Sequence, residues 1–230
     1  FPYTTLFRSY SFGYDGNAQF IAVQLDSRDP DGSDKAFEVD NTETLATYNN
    51  TPRTNAQVWN ITLVGGQSQG NPQHKAFNYR RGAASSITNA ILVEFNDGLD
   101  VDGDASCTLL GTDLNLDKAL FLGVADRADG GSTDEGDVCT GGDTTVENYL
   151  NTVDIESASY TGQLRDPFTR NGAGPDFRPT AASGVPAAFA PATPPAPFVS
   201  APYFGAVQPG DGEIPWYSGW TIQFANAITP

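Results

Sequence analysis

Basic residues, histidine, cysteine and long apolar runs are all scarce in this chain of 230 residues. Lys and Arg total 12 against 28 Asp and Glu, for a formal charge of −16. Phosphate backbones are held by clustered Lys and Arg, so this balance argues against a nucleic-acid partner. The single histidine, His74, leaves no material for a multi-histidine metal centre and removes most Ser-His-Asp arrangements. It stands between Pro72 and Lys75 in a turn-forming stretch and is expected at the surface. No apolar run approaches the roughly 18 residues of a spanning helix, so no membrane-spanning segment is predicted. Neither a phosphate-binding Gly loop before a helix nor a Rossmann fingerprint occurs. What remains suits a soluble exported protein, or one that takes up divalent cations.

What is present is a repeat. The stretch Lys75–Gly103 holds three short β-rich runs, Ala76–Tyr79, Ile87–Phe95 and Leu99–Val101, with Gly82 and Gly98 as punctuation. Lys35–Asn41 (KAFEVDN) matches Lys75–Arg81 (KAFNYRR), 40 residues on. Asn60–Val64 returns as Asn89–Val93 and again as Lys118–Leu122, each time 29 residues later. A strand–corner–strand unit recurring at such periods is the sequence form of a β-solenoid. Inward residues of parallel coils stack on their copies above and below. Ile61/Leu63, Ala90/Leu92 and Ala119/Phe121 are predicted as one inward set, with Phe37, Phe77 and Leu99 as another. Asn60 and Asn89 fall at equivalent places, either as a stacked amide ladder or as two exposed turn residues.

The remainder divides by composition. Phe1–Ser9 (FPYTTLFRS) looks like one frame of a short-read sequencing adapter and is set aside as non-native, with any leader then lying upstream of residue 10. Residues 10–160 are assigned to the coils and their Asp/Gly-rich loops, and 161–230 to a Pro/Ala-rich tail. Asp126–Asp143 is expected to be a loop with no core residue beyond Val138. Thr144–Val153 is predicted as a short helix capped by Asp143 or Thr144, with Val146, Tyr149, Leu150 and Val153 on one face. Eleven of the 16 prolines fall between Pro167 and Pro215. Aromatics spaced through that segment predict a tail lying along the solenoid and plugging grooves, closed by an anchor around Trp216 and Trp220. Cys107 and Cys139 flank a Gly/Asp-rich loop and are expected to close it as a disulfide in an oxidising compartment.

The segments AFEVDN, TPRTNAQVWNITLVG, AFNYRRG and SITNAILVEFNDGLDVDG, with the closing YFGAV and WYSGWT, resemble a group of secreted bacterial surface proteins. That group has the right-handed parallel β-helix architecture of the pectate-lyase-like superfamily. The resemblance covers residues 17–124 and 203–222 and implies an exported or lipid-anchored protein. It transfers no catalytic residue.

Candidate chemistry centres on Asp97, Asp100, Asp102 and Asp104, four carboxylates in eight residues. Hard cations take several oxygen ligands, so calcium is the metal this turn would suit, although no Glu completes an EF-hand pattern. The alternative is a solvated acidic strand face. Asp29, Asp31 and Asp34 form a weaker second acidic corner. Arg80 and Arg81 are expected to pair with neighbouring acids rather than to act on a sugar. Glu38/Asp40 and Asp100/Asp102 are the pairs a glycosidase would need. Trp59 or Tyr79 would be the sugar platforms of a binding module, unless they pack in the core. The reading favoured by the sequence is a non-enzymatic, exported scaffold or adhesive module. A polysaccharide lyase, a glycosidase or a carbohydrate-binding module are the alternatives, and polysaccharide or cell-surface components the partners.

Overall fold

The computed structural model describes residues 9–25, 35–66, 74–131, 133–134, 136–158, 163–168, 175–180, 189–210 and 215–217. Two parallel five-stranded sheets carry the chain, and successive strands alternate between them. The first sheet runs β1 (Ser9–Tyr10), β3 (Lys35–Asp40), β5 (Lys75–Arg80), β7 (Asp97–Val101) and β9 (Asp126–Asp129). The second has β2 (Asn17–Gln24), β4 (Asn55–Val64), β6 (Ala84–Val93), β8 (Leu114–Leu122) and β12 (Ile155–Ala158), ordered so that each coil lies beside the next. This alternation is the strand order of a parallel β-helix.

The register follows the repeats. Lys35 pairs with Lys75 and Phe37 with Phe77, while Leu63 pairs with Leu92 and Leu92 with Phe121. Parallel stacking then places like on like, and Phe37, Phe77, Leu99, Ile61, Leu63, Leu92 and Phe121 all lie in one buried core. The long strands of the second sheet are bent at one shared point. Phe20, Asn60, Asn89 and Lys118 adopt left-handed φ values of 62°, 56°, 60° and 52°, one in each of four neighbouring coils. Asn60 and Asn89 are neither a simple ladder nor exposed turns. They are buried, and their amides bond to the main chain of Ala192, Ala201 and Tyr203.

A second apolar cluster lies outside the second sheet. Val64, Ile91, Val93, Leu120 and Leu122 are covered by Leu164, Phe177, Phe204, Val207 and Tyr217. Leu164–Asp166 (β13) and Asp176–Pro179 (β14) pair antiparallel within this layer. Gly205 sits where a Cβ would meet Thr62 Oγ1 at 2.6 Å, so only glycine allows the chain this close.

Several expectations require correction. Asp126–Asp143 is not a plain loop, because Asp126–Asp129 forms the last strand of the first sheet with Ala128 buried, whereas Val138 is exposed. Two short antiparallel strands follow, β10 (Thr133–Asp134) and β11 (Asp137–Val138). Among the described residues the α-helices are α1 (Asp104–Cys107) and α2 (Asp143–Leu150), and α2 buries Val146, Tyr149 and Leu150. Its N-cap is Gly142, with no side-chain capping bond, in place of Asp143 or Thr144. Gly98 lies inside β7 rather than at a corner, where a Cβ would meet the Phe121 ring at 2.5 Å. His74 is fully buried, and its carbonyl accepts from Asn96 and Asp97. The acidic corner with Asp29, Asp31 and Asp34, the adapter-like residues 1–8 and the anchor residue Trp220 lie outside the described residues.

Leu92 is packed between Leu63 and Phe121 and is 0% exposed. Leu92→Ala is expected to destabilise the fold by about 2–5 kcal/mol, through lost burial and the cavity left behind. Thr88→Ala, at a half-buried position of the same strand, should cost less than about 1 kcal/mol. Equilibrium denaturant unfolding measures both, and equal effects would contradict this placement of the core.

Candidate functional site

The outward side chains of the first sheet form a polar face. Because the strands are parallel and in register, Glu38, Asn78, Asp100 and Asp129 follow one another across it. Asp40 and Arg80 make a second row, while Lys35, Lys75, Asp97 and Asp126 pair in register at the strand starts, two residues before Phe37, Phe77, Leu99 and Ala128. Leu99 and Val101, on either side of Asp100, turn into the core, so the alternation along β7 sets Asp100 apart from the apolar residues.

Asp100 and Asp102 are not a solvated acidic face, being 0% and 6% exposed. Asn78 Nδ2 donates to Asp100 Oδ2 at 2.6 Å and to Asp102 Oδ2 at 3.0 Å. Lys75 Nζ donates to Asp100 Oδ2 at 2.7 Å and to Asp129 Oδ2 at 2.9 Å. One ammonium and one amide therefore hold three carboxylates together. The second oxygens of Asp100 and Asp102 are buried and accept no hydrogen bond among the described residues. Burial, followed by the neighbouring Asp102 carboxylate, pushes the Asp100 carboxyl up to about 8 despite Lys75. Burial works against the Lys75 ammonium, but Asp100 and Asp129 outweigh it and raise its pKa.

The four acids singled out from the sequence divide among three sets of partners. Asp97 accepts from Asn96 Nδ2 at 2.7 Å. Asp100 and Asp102 share Asn78. Asp104 accepts from the Thr140 amide at 2.6 Å and the Thr140 hydroxyl at 2.8 Å. Among the described residues no three acids, histidines or cysteines are grouped so that they could hold a metal ion. Lys75 already supplies positive charge at Asp100. This donor arrangement does not fit the oxygen cage that calcium takes.

The other candidates are equally engaged. Arg80 binds Glu38 at 2.8 Å and Asp40 at 2.8 Å, and Arg81 binds Glu43 at 2.5 Å. Glu38 and Asp40 are thereby tied to an arginine, unlike a pair of glycosidase carboxylates waiting for a sugar. Tyr79 is no sugar platform, since it is 1% exposed in the core. Trp59 is half-buried and rests on Phe198, with ring centroids 5.9 Å apart. Cys107 and Cys139 are joined as a disulfide, with Cα atoms 5.7 Å apart, fastening α1 to the end of the β10–β11 hairpin. The sequence carried little sign that Asp100 and Asp102 are buried. The clue lay in the register, which sets Lys75 and Asn78 on the strand beside them.

The Asp100 shift gives a signed prediction. Its folded-state pKa lies above the ordinary carboxylate value, so the native state keeps a proton that the unfolded chain releases. That stability is fully present below about pH 4 and is lost as the pH rises through about 8. The steepest part is expected to approach about 1.4 kcal/mol per pH unit. Asp100→Asn should flatten this slope in unfolding titrations between pH 4 and pH 9 and make the protein relatively more stable at the alkaline end. Lys75→Met should destabilise more at alkaline than at acid pH, because it leaves an ionised Asp100 without its cation. A slope unchanged in Asp100→Asn would contradict the assignment.

Comparison with curated proteins and with solved structures gives no match. Residues 9–165, spanning both parallel sheets and the polar face, match the family described as Pectate-lyase like beta helix domain. With that match over more than half its length, the chain belongs to the pectate-lyase-like β-helix family.

Proposed function

We propose that this chain is a non-catalytic scaffold or adhesive module of an exported, cell-surface protein, with polysaccharide or other surface components as its partners. The observation that carries this reading is the state of the acids on the first sheet. A lyase or glycosidase turns such carboxylates toward its substrate. Here Asp100 and Asp102 are buried against Lys75 and Asn78, and Glu38 and Asp40 are both ion-paired with Arg80. Strands locked by stacked apolar rows and a cross-linked corner suit a rigid spacer that presents its loops.

A carbohydrate-active enzyme is the second reading, favoured by the family alone. Fold does not carry activity without a site to perform it.

The test is incubation of the folded protein with acidic and neutral polysaccharides, with calcium and with chelator, scoring retention and new chain ends separately. Retention on at least one polysaccharide without new chain ends is expected. Calcium-dependent cleavage would overturn the proposal.

A further inference from the structure

The corners joining the first sheet to the second differ greatly in length. Residues 41–54 and 102–113 form long corners, and between them, one coil from each, lies the short corner 81–83. A short corner between two long ones leaves a recess on that side of the β-helix. Its cavity volume is about 270 Å³, and Leu45, Tyr48 and Asn49 form one wall. Asp104, Thr108 and Asp137 face them.

The walls are held before any ligand arrives. Asp137 accepts from the amides of Asp104 at 3.0 Å and Ala105 at 3.1 Å. Gly103, at φ 82°, permits this approach, since a Cβ there would lie 2.2 Å from Asp137 Oδ2. Asp104 is fixed by the two bonds from Thr140, and the Cys107–Cys139 disulfide ties this wall together. Each of these four carboxylate oxygens accepts one such bond, and a carboxylate oxygen can accept a second. The nearby cations are already engaged: Arg53 donates to the Gly82 carbonyl, and Arg81 pairs with Glu43.

We infer that this recess is a binding site for the amine-bearing ring of an amino sugar. Two oriented carboxylates with no Lys or Arg among the described lining residues select a ligand that carries hydrogen-bond donors and positive charge. The Asn49 amide and Thr108 hydroxyl supply partners for ring hydroxyls. Leu45, 46% exposed at the rim, offers apolar contact for the C–H face of the ring. At about 270 Å³ the space lies at the small end of ligand pockets, on the scale of one sugar ring. The same charges reject uronates. This site deepens the adhesive reading by naming a ligand class, and it is separate from the acids of the first sheet.

The experiment titrates the full chain at mildly acidic pH with glucosamine trimer, its N-acetylated form and a galacturonate trimer, by calorimetry and ligand-observed NMR. The amine-bearing trimer is expected to bind at least about tenfold more tightly than the N-acetylated one, with no binding of the uronate. Asp104→Asn, Asp137→Asn and the rim variant Asn49→Ala should each weaken it about three- to tenfold while the strand signal in circular dichroism is unchanged. Absence of binding, equal binding of the three probes, or affinity unchanged in both Asp104→Asn and Asn49→Ala overturns the inference. That last result would be the general attraction of a chain of charge −16 for a polyamine. If Asp137→Asn loses its fold, Asn49→Ala still decides. Failure here leaves the scaffold reading intact, whereas cleavage of a polysaccharide would remove that reading without touching the recess.

Discussion

Each coil of this protein can bury its apolar row only against the coil beside it, and that dependence fixes everything else. A strand slipped by one residue would turn its inward side chains outward, so register has to be held along the whole stack. The second sheet holds it with a bend repeated in place. Phe20, Asn60, Asn89 and Lys118 share the left-handed backbone conformation, which costs an ordinary residue about 1–2 kcal/mol. A single such residue would be a defect in a strand. In equivalent places of four successive coils, it lets every strand bend where its neighbours bend, so hydrogen bonding continues on both sides of the bend.

The bend also explains why the second sheet needs an outer layer. Beyond it the strands read Ile61–Val64, Ala90–Val93 and Ala119–Leu122, and residues of both parities are mostly apolar. Strands buried on one face alternate, whereas strands buried on both faces read as continuous apolar runs. Ile61 and Leu63 point into the core; Val64, with Ile91, Val93, Leu120 and Leu122 of the later coils, points out. Phe177, Phe204, Val207 and Tyr217 cover that outer row, and the polar Thr62 of the same face accepts the Ala206 amide at 2.9 Å. Residues far along the chain are thus part of the packing that holds the coils.

This shows why some features were legible in the sequence and others were not. The 29- and 40-residue repeats give the pairing of β3 with β5 and of β4, β6 and β8 directly, because parallel stacking places copies side by side. β9 escaped because Asp126–Asp129 has no apolar run, only the single buried Ala128, and gains its strand by pairing with β7. His74 and Asp100 are polar residues whose burial depends on neighbours distant in sequence. Composition alone therefore points to the wrong side of the surface. Of the candidate site, the residue types were visible, but the division of Asp97, Asp100, Asp102 and Asp104 among different donors is a property of the fold.

The polar face of the first sheet shows what distinguishes structural charge from chemical charge. In-register parallel strands bring each residue beside its equivalent, and a row of identical acids would repel along its length. The row Glu38–Asn78–Asp100–Asp129 avoids this in two ways. A neutral amide separates the first acid from the third member, and Lys75 bridges the last two at 2.7 and 2.9 Å. Asp40 and Arg80 meet as opposite charges on adjacent strands. The raised Asp100 pKa is the remainder that this arrangement does not neutralise: burial raises it most, and the Asp102 carboxylate adds to the shift. Such a shift often marks a catalytic acid. Here the neighbouring groups are sufficient to cause it, and the oxygens concerned face the interior of the cluster. An acid with a perturbed pKa is evidence of chemistry only when a substrate can reach it, and Asp100, 0% exposed, is enclosed by the face that shifted it.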